Sequence, residues 1–172
     1  MDNSTMRLFI AINFNSETKS KLIALQDELR AYSKHGNFTL PENLHLTLSF
    51  LGECDSTQTA AVKTAMDEAP FDPFDICINK LGYFKGSDGD TWWAGVGECE
   101  PLLDLQHRLT RNLSAAGLKP EMRKYSPHIT LARKVIAHAE PRQIEPFGEA
   151  VSKISLMKSE RIGGKLTYTS YY

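Results

Sequence analysis

Two short segments of the chain carry a histidine and a threonine with the same spacing. In the first, apolar and polar residues alternate, so His45 and Thr47 project from one face of a predicted strand. Their imidazole and hydroxyl groups then lie about 6 to 7 Å apart along the strand. The second segment repeats the pattern with His128 and Thr130. Two His-x-Thr-Leu motifs in a chain of 172 residues are the strongest functional signal in the sequence.

Two imidazoles that face one substrate suit acid–base catalysis, because their ordinary pKa of about 6.5 lies close to neutral pH. One imidazole takes a proton from the attacking water or hydroxyl, and the other, as imidazolium, gives one to the leaving oxygen. This division serves an in-line displacement at phosphorus. Thr47 and Thr130 can donate hydrogen bonds to non-bridging phosphoryl oxygens, and Arg133 or Lys124 can neutralise charge. No step requires a metal or a cofactor, so neither is expected.

Other readings of these histidines have less support. A lone histidine or threonine on a strand usually has a structural role, whereas two matching motifs favour catalysis. Zinc binding is disfavoured, because no His-x-His, His-x-x-x-His or carboxylate–histidine cluster supplies further ligands. Neither a G-x-S-x-G elbow nor a glycine-rich phosphate loop occurs. His35, His107 and His138 have no partner motif and are predicted to lie on the surface.

Several aromatic residues flank the motifs. Trp92 and Trp93 are expected to pack within a strand rather than to form a base-stacking platform. Tyr125 and Phe50 can either stack on a nucleobase or pack in the core. The alternation around the first motif predicts that Phe50 shares the buried face and that Ser49 shares the face of the motif.

The rest of the chain predicts a mixture of strands and helices. Strands are predicted at residues 7–14, 74–84, 91–96, 151–159 and 166–171. Helices are predicted from a cap at Asn15 or Ser16 to Gly36, from a cap at Asp55 or Ser56 to Pro70, and from Pro101 to Gly117. The first helix is expected to bury Leu22, Leu25, Leu29 and Tyr32. Residues 136–147 show no clear pattern and are expected to form a looser stretch.

The order of these elements contains an internal repeat. A strand, a helix and a strand with His-x-Thr-Leu occur from Phe9 to His45 and again from Trp93 to His128. Repetition of one unit with the motif in the same place predicts an α+β fold of two related lobes. We expect antiparallel sheets, helices on their outer faces and the two motif strands together at a central cleft.

The composition predicts one globular domain over residues 1–172, with 41% hydrophobic and 24% charged residues. No apolar run approaches the roughly 18 residues of a membrane helix, and the N-terminal residues show no secretory signal. Cys54, Cys77 and Cys99 are odd in number and widely spaced, so they are expected to be reduced. We therefore expect a cytoplasmic protein without a membrane partner, and a monomer, because no heptad pattern is present.

The charge of the chain is unevenly distributed. A net charge of −1 argues against non-specific coating of nucleic acid. Between Arg108 and Lys134, however, seven basic residues accompany one acidic residue, Glu121. This segment contains the second motif and suits an anionic ligand such as a phosphate, although a solvated basic helix face would have the same composition.

The two motifs and their surroundings resemble the 2H phosphoesterases, named for paired His-x-Thr/Ser motifs. Within them, the chain is most similar to the RNA 2′,3′-cyclic phosphodiesterases, also called 2′-5′ RNA ligases. The resemblance rests on Pro-Glu-Asn-Leu-His-Leu-Thr-Leu-Ser-Phe-Leu-Gly at 41–52 and Ser-Pro-His-Ile-Thr-Leu-Ala-Arg at 126–133. Shorter matches at 7–12, 81–84 and 156–160 follow in the family's order and extend it over nearly the whole chain.

The resemblance implies a bilobal 2H fold and a metal-independent phosphodiesterase. Its substrate would be an RNA end or a nucleotide with a 2′,3′-cyclic phosphate, opened to a 2′-phosphomonoester. His45 and Thr47 would form the first catalytic pair, and His128 and Thr130 the second. The same resemblance makes His128 the base that acts on water and His45 the acid, with Arg133 as a phosphate contact.

Three alternatives stay open at this point. The same site chemistry serves 2′-5′ joining of RNA ends and cleavage of a 2′-5′ linkage, and a protein that only binds RNA ends could use the histidines to hold phosphate. Intact polar residues at all four motif positions favour an enzyme. Lys124 and Tyr125 are the candidate contacts to the bases or backbone of the RNA.

Overall fold

Two antiparallel sheets support the two motif strands, one sheet for each motif. The computed structural model describes residues 4–172. Residues 1–3, which belong to the segment where no secretory signal was predicted, lie outside this range. The strands are β1 (Met6–Asn13), β2 (Ser33–Phe38), β3 (His45–Cys54), β4 (Phe74–Phe84), β5 (Asp90–Val96), β6 (His128–Ala137), β7 (Arg142–Val151), β8 (Ser155–Ile162) and β9 (Lys165–Ser170). The helices are α1 (Ser16–Ala31), α2 (Ser56–Asp67) and α3 (Glu100–Ala115), with a 3₁₀ turn at Pro41–Asn43.

The strand orders place the first motif at an edge and the second inside a sheet. The four-stranded sheet has the order β3-β1-β8-β9, and the five-stranded sheet has the order β2-β6-β5-β4-β7. Within the described residues, all strand pairs are antiparallel, and β1 is central, as predicted. In residues 4–172, no helix is both long enough and apolar enough to cross a bilayer.

The helix ends follow local chemistry. The Asn15 side chain accepts a hydrogen bond of 2.8 Å from the backbone N–H of Thr18 at the start of α1. At the start of α2, Asp55 and Gln58 form a reciprocal capping box. Gly117 lies just beyond α3 with a φ of 86°, a left-handed conformation that glycine adopts without strain. The three helices therefore begin and end close to the predicted positions, except at the C-terminal end of α1.

The strand β1 separates the main core from the site. Leu8, Ile10 and Ile12 point to the main core beneath the helices, where all three are buried. Phe9 and Ala11 point to the opposite face and join a second cluster with Met157 and Tyr168. Both faces of β1 are thus covered, and the second cluster forms the apolar floor beside the first motif.

The two lobes exchange their helices. Helix α1 lies between β1 and β3 in the sequence but packs on β2, β6 and β7 of the five-stranded sheet. Helix α3 lies between β5 and β6 but packs on α2 and on β3 of the four-stranded sheet, with a further contact to β4. Strands β3 and β6 also approach each other. The predicted pair of pseudo-symmetric lobes with helices outside is confirmed, and the exchange ties each motif strand to a helix of the other unit.

Three predictions about the first helix and the strands were wrong. The helix ends at Ala31, and the residues up to Gly36 belong to the strand β2. Its buried side chains include Gln26, while Tyr32 is exposed. Residues 136–147, expected to be loose, form the end of β6 and much of β7. Both β2 and β7 are polar edge strands, so pairing with a distant strand rather than local alternation determines them.

Candidate active site

The two motif histidines are held in the same way at the starts of β3 and β6. The Nδ1 atom of His45 lies 2.7 Å from the carbonyl oxygen of Asn43, and Nδ1 of His128 lies 2.7 Å from that of Ser126. A carbonyl oxygen only accepts, so each Nδ1 carries the hydrogen. In the neutral tautomer, each imidazole therefore keeps Nε2 unprotonated and able to accept a proton.

The first motif shows a direct contact between its two polar side chains. The Thr47 hydroxyl lies 2.8 Å from Nε2 of His45. Because that nitrogen is the unprotonated one in the neutral ring, the hydroxyl donates to it. His128 and Thr130 share one face of β6, and both side chains are half-buried. The predicted placement of each histidine beside its threonine is thus present on both strands.

Aromatic rings enclose both imidazoles. The ring of His45 lies 4.8 Å from that of Phe9 and 5.3 Å from that of Tyr168, measured between centroids. The ring of His128 lies 5.1 Å from that of Phe84 and 6.2 Å from that of Trp93. Trp93 pairs with Thr130 as Ala11 pairs with Thr47, whereas Phe9 pairs with Phe50, so the two aromatic walls are built from different positions of the repeat.

Trp93 has a position that packing alone does not predict. Its indole lies flat on Gly82, where a Cβ atom would come within 2.5 Å of the ring, so glycine is needed there. Trp92, in contrast, is fully buried in the main core. Both tryptophans therefore match the predicted packing, Trp92 in the core and Trp93 against Gly82 and Phe84, and Trp93 in addition lies beside His128. Tyr168 was missed, because it lies on a strand distant in sequence with no motif of its own, and Phe84 was noted only within the match at 81–84 without a role.

Burial and charge act on His45. Desolvation lowers the pKa of its imidazole below the usual value, and the positive charges of Arg133 and His128 lower it further. The hydrogen bond to the Asn43 carbonyl opposes this change in part. Burial raises the pKa of the Tyr168 hydroxyl, and Arg133 again acts in the lowering direction. Arg133 is thus close enough to act electrostatically on the site, while its role as a phosphate contact stays a prediction.

Each motif strand contains a β-bulge directly after its threonine. In β3, the ladder to β1 continues from Thr47 past an extra residue, Leu48. In β6, the ladder to β5 continues from Thr130 past an extra residue, Leu131. A bulge re-aims the backbone and often lies beside an active site. Here it occurs at the same motif position in both lobes.

The bulge in β3 overturns part of the predicted alternation. Ser49 is buried, although it was predicted to share the face of the motif. Phe50 is 45% exposed, although it was predicted to share the buried face, and the Arg7 guanidinium lies 5.2 Å from its ring centre. One extra residue shifts a period-two pattern to the opposite face, which single-strand reasoning misses.

Side chains from the other lobe hold the carbonyl groups of the bulges. The side-chain amide of Gln26 on α1 donates a hydrogen bond of 2.9 Å to the Leu131 carbonyl and one of 2.8 Å to the Thr39 carbonyl. The amide of Gln106 on α3 lies 3.4 Å from the Leu48 carbonyl. A glutamine on each exchanged helix therefore reaches the bulge, and the shorter contact lies at the second motif.

The carbonyl groups of the motif threonines have a similar arrangement. The Tyr125 hydroxyl donates a hydrogen bond of 2.7 Å to the Thr47 carbonyl. The Thr39 hydroxyl donates a hydrogen bond of 3.0 Å to the Thr130 carbonyl. Burial raises the pKa of Tyr125 far above its usual value, so this hydroxyl stays protonated as a donor. Tyr125, a candidate substrate contact from the sequence, thus supports the first motif strand through its hydroxyl.

We expect Gln26→Met to lower the free energy of unfolding by about 1–3 kcal/mol, because two carbonyl oxygens lose a buried donor. Gln106→Met is the matched control, since this amide is only half-buried and its contact is longer. Its expected loss is below about 1 kcal/mol. Urea unfolding of both variants measures the difference, and equal losses would contradict the proposed importance of the Gln26 contact.

The remaining site residues are more exposed. Lys124 lies on the surface in the segment before Tyr125, beside α3. His35, His107 and His138 are exposed, as predicted. Within residues 4–172, no group of three His, Cys, Asp or Glu side chains is arranged to hold a metal ion.

Two pseudo-symmetric sheets that each contribute a His-x-Thr strand to one central cleft have the architecture of a 2H phosphoesterase. A solved structure described as a phosphoesterase has this fold, with a TM-score of 0.87 and 25% identity over 98% of this chain and 97% of that chain. A family model of the 2′-5′ RNA ligase superfamily matches residues 18–161. The chain belongs to this superfamily.

Two curated relatives carry the same name. The RNA 2′,3′-cyclic phosphodiesterase of Methanothermobacter thermautotrophicus is 28% identical, over 95% of both chains. The RNA 2′,3′-cyclic phosphodiesterase of Thermotoga maritima is 33% identical over 74% of this chain and 70% of the relative. The resemblance found in the motifs is thereby confirmed at the level of the family.

Proposed function

We propose that this protein hydrolyses 2′,3′-cyclic phosphates at RNA ends or on nucleotides and releases 2′-phosphomonoesters. The observation that carries this proposal is the matched pair of imidazoles, each with Nδ1 held by the carbonyl two residues earlier. Both rings thus have the tautomer that a proton acceptor needs, and both can hold a second proton. Hydrolysis of a cyclic phosphate requires one imidazole that accepts a proton and one imidazolium that donates a proton.

The relatives support this proposal. The chain is an enzyme of the phosphodiesterase class to which its curated relatives belong, and those relatives are named for RNA 2′,3′-cyclic phosphate. The substrate of this chain is inferred from them together with the motif residues. RNA ends and cyclic nucleotides share the reacting group, so the same chemistry applies to both.

In the proposed reaction, water attacks phosphorus on the side opposite the 3′ oxygen. His128 accepts a proton from the water as the new P–O bond forms. The bond from phosphorus to the 3′ oxygen breaks, and the His45 imidazolium gives its proton to that oxygen. The products are a 2′-phosphomonoester and a 3′ hydroxyl, and the two imidazoles have exchanged protonation states.

The hydroxyls and the guanidinium are proposed to stabilise the developing charge. Thr47 and Thr130 donate to non-bridging oxygens as the negative charge on them grows. Arg133, which already acts on the pKa of His45, supplies a positive charge beside the phosphate. When Nε2 of His45 is protonated, its N–H only donates, so the Thr47 oxygen can accept from it and the hydroxyl hydrogen can donate to a phosphoryl oxygen.

The lowered pKa of His45 has a consequence for its proposed role as the acid. In the free protein this ring is neutral near neutral pH, so it must gain a proton when substrate binds. A bound phosphate carries negative charge, which favours the imidazolium form. Substrate binding therefore prepares the acid.

We expect bell-shaped profiles of rate against pH, with the pKa of the acid higher in the kcat profile than in the kcat/KM profile. The first reports the substrate complex and the second the free enzyme. Turnover of a cyclic mononucleotide between about pH 5 and 8 measures both. Arg133→Gln should raise the pKa of the His45 imidazole that the kcat/KM profile reports, because this change removes a positive charge near that ring. Flat profiles would contradict the two-histidine mechanism.

The first test of the function is turnover of an oligonucleotide that ends in a 2′,3′-cyclic phosphate, with a chelator present. Phosphorus NMR identifies the product, and we expect the 2′-phosphomonoester. Binding without turnover would favour a protein that only holds RNA ends. Addition of an RNA with a 5′ hydroxyl tests the alternative reaction, since 2′-5′ joining would give a longer product from the same site.

A further inference from the structure

A basic groove lies on the outer side of the first motif strand. It has a volume of about 450 Å³ and runs between α3 and residues 121–125. Its lining consists of Gln106, His107, Thr110, Arg111, Ser114, Glu121, Met122, Arg123, Lys124 and Tyr125. The reaction proposed for the two motifs uses neither this groove nor its charged side chains.

The charge of the groove is positive, although the chain as a whole has a net charge of −1. Arg111, Arg123 and Lys124 contribute three permanent positive charges, and Glu121 contributes one negative charge. Glu121 forms an ion pair with Arg123. Within residues 4–172, Arg111 and Lys124 form no ion pair with a protein carboxylate, so both can pair with an anionic ligand.

The groove and the first motif share a wall. Tyr125 lines the groove, and its hydroxyl donates to the Thr47 carbonyl at 2.7 Å. Gln106 also lines the groove and contacts the Leu48 carbonyl. The backbone of β3 therefore lies between the groove and the side chains of the motif. An RNA strand whose 3′ end reacts at the motif would pass the edge of β3 to enter the groove.

The form of the groove suits a nucleic-acid strand better than a single phosphate. Arg111 lies on α3, and Arg123 and Lys124 lie on the facing segment, so positive charge is present on both walls of the groove. Met122 at the rim is 75% exposed, and a flexible thioether packs against flat rings of varied shape. Separated charges with an apolar contact between them match a backbone of regularly spaced phosphates that carries bases.

We propose that this groove binds the phosphate backbone of RNA upstream of the cyclic end. The inference rests on the proposed function, because it assumes that the RNA end reacts at His45 and His128. It adds that the enzyme prefers oligonucleotides to cyclic mononucleotides. Arg111 and Lys124 contact backbone phosphates, and Met122 contacts a base.

The test compares an oligonucleotide that ends in a cyclic phosphate with a cyclic mononucleotide, each as substrate of the full chain. In the double variant Arg111→Gln with Lys124→Gln, kcat/KM for the oligonucleotide divided by kcat/KM for the mononucleotide should fall on the order of 10-fold. The slope of log(kcat/KM) for the oligonucleotide against log salt should become shallower by about 0.7 for each phosphate that the variant no longer neutralises. Lys153→Gln, an exposed change between β7 and β8, is the matched control and should alter neither value.

The outcomes separate the two proposals. Turnover of the mononucleotide by the parent protein measures the reaction alone, so its failure would count against the proposed function. Anisotropy with a non-reactive labelled oligonucleotide measures the groove alone, and the double variant should bind about 10-fold more weakly. An unchanged ratio of the two kcat/KM values in the double variant, or unchanged anisotropy, would overturn the proposal that the groove binds RNA.

Discussion

Replacing His45 or His128 by alanine is expected to lower kcat/KM by roughly 10²- to 10⁴-fold, the usual contribution of one general acid or base. Each ring is held by a backbone carbonyl, so its loss removes a positioned proton donor or acceptor. The two rings act in one step, and the double variant should therefore lose much less than the product of the single losses. Initial rates with a cyclic mononucleotide measure all three variants.

Two controls make this result interpretable. His138→Ala removes an exposed imidazole near the end of β6 and should leave the rate within about twofold, as surface changes usually do. Circular dichroism and urea unfolding should show that the inactive variants are folded. Activity that survives in both His45→Ala and His128→Ala would place the reaction elsewhere on the protein.

The motif strands, the helices and the repeat could be predicted, because each depends on local pattern. Alternation placed His45 with Thr47 on one strand face, and the order of elements indicated two lobes. Caps at Asn15 and Asp55 gave the helix starts. The histidines needed no distant information, because their spacing to threonine is fixed within one strand.

The parts that could not be predicted depend on partners distant in sequence. The strand β2 is polar and forms by pairing with β6. The bulge at Leu48 appears only in the register with β1, and it exposes Phe50. Tyr168 and Phe84 reach the histidines from strands distant in sequence, and neither has a neighbouring polar motif. Contacts of this kind require the tertiary fold.

The exchange of helices explains why both motifs keep their geometry at an open cleft. At the bulges, the Thr47 and Thr130 carbonyls accept hydrogen bonds from the hydroxyls of Tyr125 and Thr39. Gln26 on the exchanged helix α1 adds the same support to the second bulge. At the second bulge, the Leu131 carbonyl also accepts a hydrogen bond of 2.9 Å from the backbone N–H of Thr39, so side chains and backbone together satisfy these buried carbonyls.

Replacing Thr47 or Thr130 by valine is expected to lower kcat by roughly 10²-fold, the usual cost of one donor to a developing negative charge. Valine keeps the shape and the β-propensity of threonine, so only the hydroxyl is removed. Thr47→Ser and Thr130→Ser retain the hydroxyl and are the matched controls, with rates within about tenfold of the parent.

Initial rates at saturating cyclic mononucleotide separate kcat from KM. A loss confined to KM would mean that the hydroxyls bind the ground state and the transition state equally. Since Thr47 also contacts Nε2 of His45, its valine variant should in addition change the pH profile, whereas the Thr130 variant should not.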